Sequence, residues 1–105
     1  MTWQVRYTNE AREDLKEIYE YIAFELLVPD IAEMQYNRIM QSVKGLNTMP
    51  RRYPLYHEEP WHGLGVRWFP VDNYIVLYYP DETKATVYIV RIMYERRDIK
   101  GHLMK

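Results

Sequence analysis

The chain has 105 residues, a net charge of −1 and no cysteine. This length fits one domain, and the lack of cysteine excludes a disulfide framework, a thiolate nucleophile and thiolate-bound zinc or iron–sulfur clusters. No apolar run approaches the roughly 20 residues of a membrane helix, and the first residues lack the apolar stretch of a signal peptide. We therefore expect a cytoplasmic protein that does not contact the membrane.

Charge is unevenly spread along the chain, but too weakly to support tight generic binding to nucleic acid, which usually needs a strongly basic face. Residues 1–50 carry five basic and eight acidic side chains, and residues 61–105 carry seven basic and five acidic ones. The asymmetry is modest, and it permits an acidic partner at the C-terminal half.

The first half of the chain predicts a short strand and a helical hairpin. Residues 3–7 alternate apolar and polar side chains, which is typical of a half-buried strand. Apolar residues then recur every three or four positions over 11–22 and again over 32–46, the spacing of one helix face. Pro29 fits the first turn of the second helix, where a proline lacks no needed N–H. The short connection predicts antiparallel packing of the two helices.

The second half predicts three strands after a loop. Three prolines within residues 49–63 exclude a regular helix and a central strand there. Strands follow over 66–69, 74–79 and 85–92, and the middle one is apolar on both faces, so we expect it to be central. Turns this short join only antiparallel strands. The order β-α-α-β-β-β predicts a single α+β domain over 1–105, with the helical hairpin packed on a small, mainly antiparallel sheet.

Four side chains at or beyond the end of the last predicted strand form the first candidate site. They are Arg91, Tyr94, Arg96 and Arg97. Arginine pairs bind phosphate through parallel hydrogen bonds, and a tyrosine stacks on a base or transfers a proton. The alternative is a set of solvated charges paired with Glu95 or Asp98. Because Arg91 shares a strand face with Met93, we expect it to be partly buried.

Two other groups of side chains have both a functional and a structural interpretation. Arg67 lies opposite the strand that begins at Tyr74, where a cation beside aromatic rings suits a nucleic-acid or peptide surface. It equally suits packing over Trp68. His57 and His62 have the spacing of metal ligands only on a helix, which the neighbouring prolines exclude. We therefore expect neither a metal nor a cofactor.

Aromatic residues make up 15% of the chain and include 11 tyrosines. Tyr19, Tyr21 and Phe24 widen the apolar stripe of the first helix, which predicts that this helix is buried on more than one side. So short a chain cannot bury every ring, and exposed rings together with Met40, Met49 and Met93 indicate an interface for a partner. The alternative is that the large side chains fill the core.

An ordered set of short strings resembles the RelE/ParE superfamily of bacterial toxin–antitoxin toxins. The strings lie at residues 7–11, 14–15, 18, 21–22, 46, 50, 65–67, 73–74 and 90–98, and so cover nearly the whole chain. The resemblance is closest to the ParE branch, through G-V-R-x-F-x-V-x-N-Y from Gly65 and R-x-x-Y-x-x-R-D from Arg91. It implies a growth-inhibiting toxin that a co-encoded antitoxin protein neutralises.

The two branches of this superfamily imply different mechanisms. RelE-like toxins cut mRNA on the ribosome, whereas ParE-like toxins inhibit DNA gyrase and are not nucleases. RelE-like toxins carry a phosphate-binding arginine directly after the strand tyrosine, and here Ile75 follows Tyr74. They also carry a basic residue near position 95, which here is Glu95. The sequence pI of about 6.3 is low for a protein that enters an RNA-rich site.

The resemblance therefore favours a ParE-like inhibitor that binds DNA gyrase. Its target-binding candidates are Arg67, Arg91, Tyr94, Arg96 and Arg97. The alternative is a RelE-like, ribosome-dependent mRNA endoribonuclease, whose catalytic candidates are Arg67, Tyr94 and Arg97. An alternative of another class is a non-toxic protein-interaction module.

Overall fold

A four-stranded mixed sheet with two helices on one face forms the fold, and the computed structural model describes residues 2–95. The strands are β1 (Gln4–Tyr7), β2 (Arg67–Val71), β3 (Tyr74–Asp81) and β4 (Thr86–Tyr94), and the helices are α1 (Asn9–Glu20) and α2 (Pro29–Lys44). The sheet order is β1-β4-β3-β2, with β1 parallel to β4 and the other pairs antiparallel. Within this range no helix is long and apolar enough to cross a membrane.

Side-chain capping and proline chemistry set the starts of the two helices. The Thr8 hydroxyl accepts a hydrogen bond from the Ala11 N–H at 3.1 Å and donates one to the Ile89 carbonyl at 2.8 Å, so it caps α1 and ties it to β4. Pro29 occupies the first turn of α2, as expected. The predicted apolar faces are buried, and their buried members are Ala11, Leu15, Ile22, Ala32, Ile39, Val43 and Leu46.

The strand β3 lies between β4 and β2, which confirms its predicted central position, and both faces of the sheet are covered there. The helices bury one face, where Tyr78 lies in the main core. On the other face Ile75 and Leu77 pack against Tyr56, which belongs to the proline-rich loop. The last strand continues to Tyr94, two residues beyond the predicted end.

The expectation that Tyr21 and Phe24 are buried is wrong. Their side chains are 55% and 67% exposed. Residues Tyr21–Glu25 form a π-helical turn that extends α1, and only Ile22 and Ala23 within it are buried, where they pack against α2. The wider π turn changes the angular position of each side chain relative to a regular α-helix. The Phe24 ring therefore leaves the buried stripe of α1, and Tyr21, at the start of the turn, lines an open groove instead.

Candidate functional site

Arg91, the first residue of the predicted strand-end group, is bonded to α1. Its Nε lies 2.7 Å from Oδ2 of Asp14 and its Nη2 lies 3.0 Å from Oδ1, while the Ile92 N–H donates to the same carboxylate at 3.0 Å. The Arg91 side chain is 39% exposed and that of Asp14 is 11% exposed, which confirms the predicted partial burial. Hydrogen bonding to Asp14 raises the pKa of Arg91. This arginine therefore joins the helical hairpin to the sheet.

Tyr94 ends β4 with 46% of its side chain exposed. Its ring packs edge-on against Tyr74, with centroids 5.7 Å apart and planes at 73°. The next backbone N–H, that of Glu95, donates to the Asn73 carbonyl at 2.6 Å and continues the pairing with β3. Tyr94 is therefore presented from a fixed strand end. The other two members of the predicted group, Arg96 and Arg97, lie outside the described residues, as does Asp98.

Arg67 lies away from Tyr94. It begins β2 opposite Tyr78, whereas Tyr94 pairs with Tyr74 from the other side of β3. The two partners are four residues apart on β3, which corresponds to about 13 Å along the strand. The guanidinium of Arg67 donates to the Tyr53 carbonyl at 2.6 Å. The structure therefore does not bring Arg67 and Tyr94 into one cluster, and it gives Arg67 a role in holding the loop before β2.

Ile75 points into a packed layer rather than toward solvent. Its side chain is buried with Tyr56 and Leu77 under the proline-rich loop. The resemblance described above implies that RelE-like toxins carry a phosphate-binding arginine at this position. A charged side chain here would have to displace that loop, because buried charges need partners or water.

The two loop histidines pair with neighbouring carboxylates on the surface. His57 Nε2 lies 3.7 Å from Glu58 and His62 Nδ1 lies 3.6 Å from Glu59. In the described part of the chain, no three acidic, histidine or cysteine side chains are grouped so as to hold a metal ion.

A large exposed apolar surface lies where the two helices meet. We call it the hairpin-tip surface, and its members are Tyr21, Phe24, Leu26, Leu27, Val28, Ile31 and Met34, each 40–76% exposed. Leu27, the most exposed of them, has a φ of 61°, a conformation that is unfavourable for a bulky residue. Met40 and Met49 are also exposed, but Met93 packs beneath Tyr56 and Trp68 and is not part of a free surface.

Two grooves adjoin the hairpin-tip surface. One has a volume of about 850 Å³ and runs past Tyr7, Tyr19, Phe24, Tyr36 and Met40. The other, which we call the tip groove, has a volume of about 720 Å³ and lies between the hairpin and the ends of β3 and β4. Its main apolar and aromatic walls are Tyr21, Leu26, Val28, Ile31, Tyr74 and Tyr94. Tyr94 thus belongs both to the strand end and to a groove wall.

Residues 5–99 match the family model described as the ParE toxin of the type II toxin–antitoxin system parDE. The chain belongs to the ParE toxin family. Its structure and its candidate residues are therefore compared with those of ParE and RelE toxins. Among curated proteins, none matches the sequence.

Solved structures of ParE and RelE toxins share the fold of this ParE-family toxin. The chromosomal ParDE system of Pseudomonas aeruginosa matches with a TM-score of 0.74 at 22% identity, over 89% of this chain and 96% of that one. The toxin–antitoxin complex RelBE2 of Mycobacterium tuberculosis matches with a TM-score of 0.62 at 23% identity, over 90% and 92%. A mutant of the Escherichia coli toxin RelE in the free state matches with a TM-score of 0.60 at 10% identity, over 96% and 93%.

Sequence reasoning missed two elements of this toxin's surface. The pairing of Asp14 with Arg91 was not predicted, because the two residues are 77 positions apart along the chain. The apolar string Leu26-Leu27-Val28 did carry a signal. A run of three apolar residues directly before Pro29 lies in a turn, and apolar residues in a turn are exposed unless another element covers them.

Proposed function

We propose that this ParE-family toxin inhibits growth by binding DNA gyrase in the cytoplasm, and that it is not a nuclease. The proposal rests on one observation: the side chains at the candidate phosphate-binding positions are bonded or buried within the fold. Arg91 is bonded to Asp14, Arg67 is bonded to the Tyr53 carbonyl, and Ile75 is buried. A phosphoryl-transfer site needs cationic groups that converge on the scissile phosphate. Here the two arginines are instead bonded to groups of the fold, and the third position holds a buried apolar side chain.

Tyr94, with Arg96 and Arg97 directly after it, forms the proposed contact with gyrase. Tyr94 is exposed and fixed by Tyr74, so it loses little conformational entropy when it is covered. In this proposal the half-buried Arg91 adds positive charge on the same strand as Tyr94. The half-buried Arg67 offers a separate positive charge on β2, away from that contact.

An antitoxin protein is the proposed second partner. Monomeric proteins rarely expose a contiguous apolar surface of this kind unless a partner covers it, and the hairpin-tip surface comprises seven large apolar side chains. Solved structures with the same fold include the P. aeruginosa ParDE system and the M. tuberculosis RelBE2 complex, which their descriptions name as toxin–antitoxin assemblies.

Induced expression of the full chain in bacteria, combined with an assay on purified gyrase, tests this proposal. We expect growth to stop, relaxed plasmid to remain relaxed when the purified chain is added to gyrase and ATP, and mRNA to remain intact. Normal supercoiling together with ribosome-dependent mRNA cleavage would place the protein with the RelE-like ribonucleases. Unimpaired growth with normal supercoiling would indicate a non-toxic interaction module.

A further inference from the structure

An ion pair with two hydrogen bonds joins α2 to the turn between β2 and β3. Arg38 donates from Nε to Oδ2 of Asp72 at 2.7 Å and from Nη2 to Oδ1 at 2.8 Å. Gln35, one helical turn earlier on α2, donates from Nε2 to the same Oδ2 at 2.9 Å. We call these three side chains the turn clamp. Hydrogen bonds from Arg38 and Gln35 lower the pKa of Asp72, so its carboxylate is charged at neutral pH.

The turn clamp holds a connection of only two residues. Val71 pairs with Tyr74, so Asp72 and Asn73 alone connect β2 to β3. Asp72 has a φ of 55°, a left-handed conformation that aspartate and asparagine adopt more readily than most residues do. The hairpin fixes the main chain of Asp72, while α2 fixes its side chain. The carboxylate therefore ties the position of the turn to the helical hairpin.

The same turn holds the end of β4. The Asn73 carbonyl accepts a hydrogen bond at 2.6 Å from the N–H of Glu95, the residue directly after β4. Tyr74 pairs with Tyr94 in the sheet register, and the two rings meet edge-on. The connection from α2 to the end of β4 thus passes through Asp72 and its two neighbours in the chain.

The turn clamp is too exposed to add much to the stability of the fold. The Arg38 side chain is 62% exposed and that of Asp72 is 29% exposed. Water screens ion pairs of this kind, and their usual contribution to the free energy of unfolding is small. A connection that adds little stability but reaches the end of a strand is suited to orienting that strand end.

We propose that Gln35, Arg38 and Asp72 are positioning residues for the target contact of this toxin. They hold the turn between β2 and β3, and through it they keep Tyr94 and the backbone at Glu95 in one orientation. The inference rests on the proposed contact of Tyr94 with gyrase. A contact that is ordered beforehand binds more tightly than one that is ordered on binding, because less conformational entropy is lost.

Two measurements on the full chain test this inference. Amide hydrogen exchange followed by NMR reports whether the Glu95 N–H stays bonded to Asn73, and inhibition of purified gyrase reports the target contact. Arg38→Ala and Asp72→Gly each break the turn clamp, and glycine adopts the left-handed backbone at position 72 without strain. In both variants we expect the Glu95 amide to exchange at least about fivefold faster. We expect the inhibitory concentration to rise about tenfold, the effect of about one more backbone residue that must be ordered on binding.

Matched variants separate positioning from a general effect of charge. Arg51→Ala breaks another exposed ion pair, with Glu82 at 3.2 Å beyond the opposite end of β3, and should leave both measurements unchanged. Arg38→Lys keeps the charge but not the two parallel hydrogen bonds, so its results should lie between those of wild type and Arg38→Ala. Combining Arg38→Ala with Asp72→Gly should weaken inhibition no further than either change alone, because both break the same connection.

Four results would overturn the inference. Unchanged Glu95 exchange in both variants would show that the turn clamp does not hold the strand end, and faster exchange with unchanged inhibition would show that this position does not matter to the target. Weaker inhibition by Arg38→Ala with normal inhibition by Asp72→Gly would show that Arg38 contacts gyrase itself, because Asp72→Gly leaves the guanidinium free. A melting temperature lowered by more than about 10 °C in Arg38→Ala would indicate a general role in folding.

A failure of the gyrase proposal gives a different result. The wild-type chain would then leave supercoiling normal, whereas a failure of the positioning role leaves wild-type inhibition intact. In that case growth arrest at matched expression levels replaces the gyrase assay for the same variants, and Glu95 exchange still decides whether the turn clamp holds the end of β4.

Discussion

Asp14 on α1 and Arg91 on β4 form a two-bonded ion pair that joins the helical hairpin to the strand ending at Tyr94. The same carboxylate accepts the Ile92 N–H, so one side chain of α1 holds both the backbone and a side chain of β4. Asp14 and Tyr94 also both line the tip groove. The pair therefore fixes the relative position of the two elements that carry the proposed partner and target surfaces.

Replacing Asp14 with alanine should destabilise the fold. The change leaves Arg91 without its carboxylate and the Ile92 N–H without its acceptor. Allowing for solvent at Arg91, we expect a loss of about 1–2 kcal/mol in the free energy of unfolding. That corresponds to a melting temperature roughly 5–15 °C lower. Urea and thermal unfolding followed by circular dichroism measure both quantities.

The ion pair of Arg38 with Asp72 is a matched control. It has the same two-bonded geometry, with Arg38 Nε 2.7 Å from Asp72, but the Arg38 side chain is 62% exposed. Water screens such pairs, so Arg38→Ala should lower the melting temperature less than Asp14→Ala does. Equal losses of melting temperature in the two variants would show that the Asp14–Arg91 pair stabilises the fold no more than an exposed ion pair does.

Introducing an arginine at Ile75 should unfold the protein rather than create a nuclease. The side chain is buried against Tyr56 and Leu77, and an arginine there would place a long charged side chain in a packed apolar layer. We expect a loss of more than about 3 kcal/mol for Ile75→Arg and about 1 kcal/mol for Ile75→Val. Urea unfolding of both variants is the measurement, and native stability of Ile75→Arg would contradict the assigned packing.

Stability should fall at alkaline pH because of Tyr78. Its hydroxyl donates to the Pro50 carbonyl at 2.5 Å, and burial raises the pKa of Tyr78 to about 12. An unfolded tyrosine has a pKa of about 10, so below that pH the phenol is protonated in both states. From pH 10 to about 12 the unfolded chain releases a proton that the folded chain keeps. Each pH unit then removes about 1.4 kcal/mol of stability through Tyr78, and Tyr7, whose pKa burial also raises to about 12, adds a second proton to the slope.

Urea unfolding at several pH values between 9 and 11.5, about the range of tyrosine ionisation, measures this slope. Tyr78→Phe should remove about one proton from the pH dependence, although it also lowers stability at neutral pH through the lost hydrogen bond. Tyr79→Phe is the control, because that side chain is exposed on the neighbouring position of β3. An unchanged slope in Tyr78→Phe would contradict the assignment.

Features that depend on local periodicity could be predicted from the sequence. In a helix, buried residues recur every three or four positions, so α1 and α2 could be predicted from the spacing of apolar residues. A strand that is apolar on both faces is typical of a central strand, which predicted the position of β3. The start of α2 followed from the chemistry of Pro29. The antiparallel pairing of β2, β3 and β4 followed from turn length.

Features that depend on distant residues could not be predicted. The parallel pairing of β1 with β4 joins segments about 80 positions apart, and no local pattern encodes it. The partner of Arg91 lies 77 positions away for the same reason. The exposure of Phe24 follows a π turn, which changes the angular spacing that the stripe argument assumes, whereas Tyr21 is exposed beside the tip groove.

Removing the positive charge of Arg96 or Arg97 should reduce toxicity without reducing stability. Both residues follow Tyr94 in the sequence and lie outside the described residues, so this prediction rests on the sequence alone. We expect Arg96→Ala and Arg97→Ala to change the free energy of unfolding by less than about 0.5 kcal/mol, as exposed substitutions usually do. Arg91→Ala, by contrast, should lower the melting temperature. Growth assays and thermal melts of the three variants separate a loss of target contact from a loss of fold.

Substitution of Tyr94 by phenylalanine separates the two mechanisms. The change keeps the ring and its edge-on contact with Tyr74, and removes only the hydroxyl. A toxin that acts by binding gyrase should keep most of its growth inhibition in this variant and lose it in Tyr94→Ala, which removes the ring as well. An acid–base ribonuclease would lose about 10²–10⁴-fold in rate from Tyr94→Phe. Growth arrest at matched expression levels is the measurement. A loss of that size with an unchanged melting temperature would refute the binding mechanism, because the hydroxyl proton would then be part of the chemistry.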